Sequence, residues 1–137
     1  MDRFTPEERS EIMRRVRAAD TGPELLVRRL VYSMGFRYRL HCSDLPGRPD
    51  LVFRKLKRVI FVHGCFWHQH TGCVRSALPK SRASYWREKL LNNVRRDAKA
   101  IRQLRHDGWK VLVLWECQLA ADRTLERVVS RFLKAQS

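Results

Sequence analysis

The chain has 137 residues and carries 29 Lys and Arg against 14 Asp and Glu, a formal charge of +15. That length suits one compact domain, and that charge suits a polyanion, with nucleic acid the leading candidate over an acidic membrane, for which no clean amphipathic basic helix or lipid anchor is evident. The N-terminal "MDRFTPEERSEIM" lacks the apolar run of a secretory signal and no segment approaches the ~20 apolar residues of a membrane helix. A cytoplasmic protein is therefore expected, in which the four cysteines act as thiols or metal ligands and not as disulfides.

In chain order, "TPEERSEIMRRVRA" predicts a short helix with Thr5 as cap, Pro6 in the first turn, and Glu7 and Glu8 complementing the helix dipole. Its sizeable apolar residues are only Ile12, Met13 and Val16, so it reads as a surface helix or an arm that orders on a partner. A second helix is predicted from a Thr21 cap through "PELLVRRLVYSM" to Gly35, with Leu26, Leu30, Val31 and Met34 on one stripe. The period then shortens. "FRYRLH" alternates, and "DLVF" and "RVIFV" are apolar runs of strand length, with Pro46, Gly47 and Pro49 punctuating the approach to Asp50.

"ASYWREKLLNNVRRDAKAIRQLRHDG" predicts a long helix carrying Leu90, Leu91, Val94, Ala98, Ile101 and Leu104 at helical spacing and closed by Gly108. "WKVLVLWEC" reads as a strand buried on both faces if central, and "DRTLERVVSRFLKA" as an amphipathic helix capped by Asp122. Helix, strands, helix, strand, helix suits a mixed sheet flanked by helices, an α/β fold in a single domain.

"HGCFWHQHTGC", residues 63 to 73, concentrates three histidines and two cysteines in eleven positions. Zinc takes Cys sulfur and His nitrogen in tetrahedral sets of four, and Cys65, His70 and Cys73 are close enough in sequence to wrap one ion. Cys117 ends the strand "VLVLWEC" as Cys65 follows "RVIFV". If those strands are neighbours, Cys117 completes a structural zinc site that staples the loop to the sheet. The alternative makes Cys117 a buried apolar thiol and leaves the histidines to contact nucleic acid. Cys42 is left over as a thiol.

"GRPD" followed by "LVF", a basic turn and "RVIFV" resembles the PD-(D/E)xK arrangement of nucleases, in which an Asp opening one strand of a hairpin binds Mg²⁺. The second acid and the Lys usual on the following strand are absent, since it reads Phe61, Val62, His63, Gly64. Asp50 is thus a candidate Mg²⁺ ligand or a turn residue. A base to activate water is also needed; His68 would be free if His70 goes to metal, but spacing alone does not separate it from His63 or His70. Glu24 could project towards the hairpin, although Thr21-Gly-Pro-Glu24 has the form of a capping box, which the pattern favours. Phe66 and Trp67, lying between these polar residues, suit either core packing or a wedge between base steps, and Trp86 could join them.

"SEIMRRVRAADTGPE", "LPGRPDLVF", "VIFVHGCFWHQHTGC", "YWREKLLNNVRRD" and "GWKVLVLWEC" occur in the order and spacing of the very-short-patch-repair (Vsr) mismatch endonucleases, which the chain resembles over nearly its whole length. The resemblance implies a restriction-endonuclease-like fold and a strand-specific nickase that cuts 5′ to the T of T:G mismatches left by deaminated 5-methylcytosine. Residues 1–19 would form a DNA-clamping arm around Met13, and residues 20–137 the catalytic core.

It further implies Asp50 as Mg²⁺ ligand with the Val62 backbone carbonyl, and His68 as general base. Glu24 would support the water and metal network, and His63 would contact the scissile phosphate region. Cys65, His70, Cys73 and Cys117 would hold structural zinc, while Phe66, Trp67 and Trp86 would intercalate. The expected partner is duplex DNA, bound by a monomer, with mismatch-repair proteins as further candidates.

Two positions depart from the family pattern: Val62 stands where Thr is common, and two residues, Thr71 and Gly72, separate His70 from Cys73 where one is usual. The competing readings are a zinc-stabilised DNA-binding module without catalysis and a homodimeric enzyme that cuts both strands.

Overall fold

The computed structural model describes residues 22–119 and 122–135; the predicted N-terminal helix, Met13 and the Thr21 cap lie outside them. Helix α1 (Gly22–Ser33) is followed by strands β1 (Arg39–Leu40), β2 (Leu51–Phe53) and β3 (Arg58–His63), helix α2 (Ala83–His106), strand β4 (Lys110–Trp115) and helix α3 (Asp122–Lys134). The sheet order is β1-β2-β3-β4. The first three strands are antiparallel neighbours and β3 pairs parallel with β4 across the α2 crossover, so the predicted mixed α/β architecture is present. No helix among the described residues is long and apolar enough to cross a membrane.

Strand alternation sorts the core into two layers. Leu51, Phe53, Ile60 and Leu114 join Val27 and Val31 of α1 and Leu125, Val129 and Leu133 of α3. Val52, Val59 and Phe61, from the opposite face, pack with Leu104 of α2. Arg58 is buried beneath the end of α3, where its guanidinium donates to the carbonyls of Leu133 and Ala135. A cation at a helix C-terminus meets the negative end of the dipole and the carbonyls that have no partner within the helix.

Several expectations are corrected. The buried stripe of α1 runs Glu24, Val27, Val31, whereas Leu26 is exposed; a carboxylate that must face the sheet rotates the helix by one position. In α2 the buried residues are Trp86, Leu90, Asn93, Ala100 and Leu104, and Leu91 and Ala98 face solvent. The strand β4 is an edge and not central, with only Leu114 fully buried. The central, buried strand is β3.

The predicted strand "FRYRLH" pairs only at Arg39–Leu40, opposite Val52 and Leu51, and ends there because His41 leaves extended geometry at φ +46. Phe36 and Tyr38 instead set their rings edge-on to Phe53, with centroids 6.4 and 6.3 Å away.

Gly47 shows how closely the approach to Asp50 is packed. It sits at φ +76, and a Cβ there would fall 2.8 Å from Ala100 Cβ and 3.2 Å from the Phe61 ring. Both contacts belong to packed elements that cannot swing aside. Gly47→Ala is therefore expected to destabilise the fold by roughly 1–3 kcal/mol, from strain and overpacking together, readable in urea unfolding as a lower midpoint at unchanged slope.

Candidate active site

The site is built at the C-terminal ends of β3 and β4 and the start of β2. Asp50 immediately precedes β2, and the register Leu51↔Ile60 sets it beside the far end of β3, where Asp50 Oδ2 accepts the Val62 N–H at 2.6 Å. Glu24 arrives from α1 and is buried. Its Oε2 accepts from Arg28 at 3.0 Å and lies 3.0 Å from His41 Nε2. The same His41 nitrogen is 3.7 Å from Asp50 Oδ1. Glu24 is thus at the acidic centre.

Burial, and next to it the charge of Glu24, pushes the Asp50 carboxyl up to about 7, against the opposing pull of the Val62 N–H and Arg28. A buried carboxylate beside a partly buried one, whose ionisation it opposes, makes a site that a cation would complete. Ligand atoms from Glu24, His41 and Asp50 all lie within 4.8 Å of one another, so the set fits a divalent ion.

A second group faces α2. His63, the last residue of β3, is buried and stacks on His68, with centroids 3.7 Å apart and planes 7° from parallel. Burial first, and the neighbouring His68 second, hold His63 down at about 3, so it is a neutral ring. His68 is placed by the tight turn that follows β3, where its N–H bonds the Gly64 carbonyl at 3.1 Å. Its Nδ1 lies 2.5 Å from Asp97 Oδ2 of α2.

A carboxylate on one imidazole nitrogen fixes ring and tautomer and leaves the other nitrogen to accept a proton. His63, His68 and Asp97 also fall within 4.8 Å of one another. Parallel stacked rings, however, carry their lone pairs in separate planes, which suits proton transfer better than a shared ion. These residues line a cleft of about 520 Å³ with Val94, Ile101 and Trp115, so His68 borders open space.

The third group is the cysteine cluster. In the parallel β3/β4 pair His63 lies opposite Trp115, so Cys65 and Cys117, each two residues further on, meet. Cys65, His70, Cys73 and Cys117 present ligand atoms within 4.8 Å of one another, with His70 Nδ1 3.7 Å from Cys65 Sγ and 3.4 Å from Cys117 Sγ. Gly72 at φ +76 turns the segment between His70 and Cys73 back so that both reach the cluster. Ser76 Oγ ties the loop by donating to the carbonyls of Cys65 (3.1 Å) and His70 (2.7 Å).

Burial pushes the Cys65 thiol up to about 11, and the Arg75 N–H lowers that of Cys73. Three unpaired thiols converging with one imidazole form a soft donor set that fits a metal ion. Cys42 is partly buried against the core layer beneath α2, away from this cluster.

Phe66, Trp67 and Trp86 come together as one aromatic cluster, with centroids 5.2 to 6.1 Å apart. Trp67 and Trp86 are buried with Leu90, and Phe66 packs against them, partly exposed. Lys89 Nζ lies 5.5 Å from the Trp86 ring centre, and exposed Arg87, Arg95, Arg96 and Lys99 add positive charge along the solvent side of α2.

Asp97 and His41 are two residues of the site that the sequence pattern does not single out. For Asp97 a signal existed: residues 90, 93, 97, 100 and 104 form one helical stripe, and its middle is Asn and Asp where an apolar residue would be expected. Buried Asn93 donates to the Trp67 carbonyl at 3.2 Å. His41 had no comparable signal, because its role depends on a local reversal of the backbone.

The family model described as "DNA mismatch endonuclease Vsr" matches residues 1–75. Among curated proteins, "Type II nicking enzyme V.XorIIP" of Xanthomonas oryzae pv. oryzae is 49% identical over 91% of this chain and 91% of its own. "Type II nicking enzyme V.NmeAIP" of Neisseria meningitidis is 43% identical over 86% of this chain and 84% of its own. "DNA mismatch endonuclease Vsr" of Escherichia coli K12 is 42% identical over 81% of this chain and 70% of its own. With the family model spanning more than half of the sequence and these relatives aligned along most of it, the chain belongs to the Vsr DNA mismatch endonuclease family.

Proposed function

We propose that the protein is a Mg²⁺-dependent DNA endonuclease that nicks one strand of duplex DNA, 5′ to the T of T:G mismatches arising from deaminated 5-methylcytosine, and so initiates very short patch repair. The observation that carries this reading is the pairing, at one end of the sheet, of a carboxylate site (Glu24, Asp50) with a carboxylate-oriented imidazole (His68 with Asp97). Phosphodiester hydrolysis needs both a cation seat and a base.

Asp50 and Glu24, with the Val62 carbonyl, would hold Mg²⁺, which when bound supplies charge neutralisation at the scissile phosphate. Asp97 keeps the Nδ1 proton of His68 in place. His68 Nε2 then takes the proton of the attacking water, and neutral His63 holds the His68 ring plane and faces the phosphate without adding a competing base.

The Cys65, His70, Cys73 and Cys117 set would hold structural zinc and fix the loop that carries His68. Phe66, Trp67 and Trp86 would intercalate beside the mismatch, where unstacking costs least, and Met13 would clamp the duplex from the N-terminal arm. The whole chain, in this reading, is one restriction-endonuclease-like domain with a core at residues 20–137, acting as a monomer in the cytoplasm, with mismatch-repair proteins as further partners.

The test is nicking of two otherwise identical duplexes, one with T:G and one fully paired, each strand end-labelled, with Mg²⁺ near physiological salt. A cut confined to the T-bearing strand of the mismatched duplex is expected. Cuts in both strands would favour the homodimeric reading, and binding without any cut the non-catalytic module.

In the same assay His68→Ala is expected to lose about 10²–10⁴ in rate. Asp97→Asn, which keeps a hydrogen bond but loses the charge, should lose about 10–100-fold by analogy with partners that orient a ligating histidine. A near-wild-type rate for His68→Ala would remove it as base.

A further inference from the structure

Beside the two carboxylates of the cation site stands a third side chain to which neither the nuclease motif nor the comparisons give a task. His41 follows β1 and is held at φ +46, a region that residues other than glycine seldom occupy and that persists where the surroundings over-determine it. Its N–H bonds the Asp50 carbonyl at 3.4 Å. The imidazole points inwards, with Nε2 3.0 Å from Glu24 Oε2 and 3.7 Å from Asp50 Oδ1. One ion with bonds of about 2.0–2.3 Å can span such a trio.

We propose that His41 Nε2 is a direct ligand of the divalent cation held by Asp50 and Glu24, and that this nitrogen biases the site from Mg²⁺ towards Mn²⁺ and the later first-row ions. The proposal rests on the cation site put forward above and adds to its two carboxylates and the Val62 carbonyl a nitrogen donor and a metal preference. Mg²⁺ takes oxygen ligands and keeps several waters, whereas imidazole nitrogen is a ligand of transition ions.

Charge balance alone does not call for His41, since Arg28 already places a guanidinium nitrogen 3.0 Å from Glu24 Oε2. What His41 adds is a nitrogen within reach of both carboxylates. The nitrogen that now hydrogen-bonds Glu24 presents its lone pair to the ion once the ring proton resides on Nδ1. The other histidines near the sheet ends are otherwise engaged: His63 and His68 in their parallel stack, and His70 with the thiols.

The test uses the full chain saturated with zinc, and Mn²⁺ as the probe. Pulsed electron paramagnetic resonance of bound Mn²⁺ detects directly coordinated ¹⁴N, and the free Mn²⁺ signal in competition with Mg²⁺ gives the relative affinity. Wild type is expected to show nitrogen coupling. His41→Asn keeps a residue tolerant of the left-handed backbone but cannot reach the place of Nε2; it should lose the coupling and bind Mn²⁺ at least about tenfold more weakly relative to Mg²⁺.

His41→Gln, which offers an oxygen at longer reach, should recover Mn²⁺ binding without nitrogen coupling, and so separates loss of a ligand from damage to the fold. Nitrogen coupling that survives His41→Asn, or an unchanged Mn²⁺ to Mg²⁺ affinity ratio, would overturn the proposal. Undiminished Mn²⁺ binding in Asp50→Ala would instead overturn the cation site itself.

Discussion

Asp50→Asn is expected to abolish nicking, lowering the rate by about three orders of magnitude or more, while duplex affinity near physiological salt stays within a few-fold of wild type. The amide still offers an oxygen to the Val62 N–H, so the hairpin keeps its geometry and only the charge is removed. Losing the cation's stabilisation of the phosphate costs several kcal/mol at the transition state, and each 1.36 kcal/mol is about tenfold in rate. Affinity, by contrast, comes from a basic surface carrying +15 and its phosphate contacts. Single-turnover nicking and a gel shift on the same T:G duplex check the pair, and equal loss of both would refute the catalytic assignment.

The same substitution has an opposite effect on stability. In Mg²⁺-free buffer the Asp50 carboxyl is raised from 3.8 to about 7 by burial and by Glu24. The folded state then binds the proton more tightly than the unfolded chain does. The stabilisation that follows is fully present below about pH 4 and is lost as the pH rises through 7. Asp50→Asn carries no such penalty. Its melting temperature should exceed that of wild type at pH 8, and the difference should close towards pH 4.

The second large effect concerns the cysteine cluster. Stripping the metal with a strong chelator is expected to lower the melting temperature by roughly 10–20 °C, since a structural zinc site contributes folding free energy outright. The loss should centre on residues 64–76, whose loop is otherwise tied mainly by short hydrogen bonds such as those of Ser76. Cys117→Ser should reproduce most of this loss because it removes the one ligand supplied from outside that loop, by the turn after β4, and elemental analysis should show less than one zinc per chain. Cys42→Ser, outside the cluster, serves as the control with full zinc. Full zinc and an unchanged melting temperature in Cys117→Ser would contradict the site.

Much of this could be read from residue pattern because local chemistry determined it. The strand runs, the long helix ended by Gly108, and the adjacency of Cys65 and Cys117 all follow from periodicity and from two parallel strands ending together. The errors fall where tertiary demands override local preference. Leu26 yields the buried face of α1 because Glu24 must reach Asp50. Leu91 and Ala98 lie outside a stripe whose middle is given to Asn93 and Asp97. The strand "WKVLVLWEC" is apolar enough to be central, yet chain order makes it an edge with α3 packed against one face. His41 is hidden most completely, since the backbone reverses at the histidine itself, with no Gly, Pro or Asn there to announce it.

One arrangement of rings joins the two centres. Trp115 stacks on His70 at 4.2 Å, meets His63 edge-on at 5.2 Å, and His63 in turn stacks on His68 at 3.7 Å. The imidazole assigned to water activation therefore rests, through two intervening rings, on an imidazole assigned to zinc. An ion held by the cysteine cluster would fix His70 and, through Trp115 and His63, the plane of His68, so the thiol site and the imidazole beside Asp97 are mechanically joined.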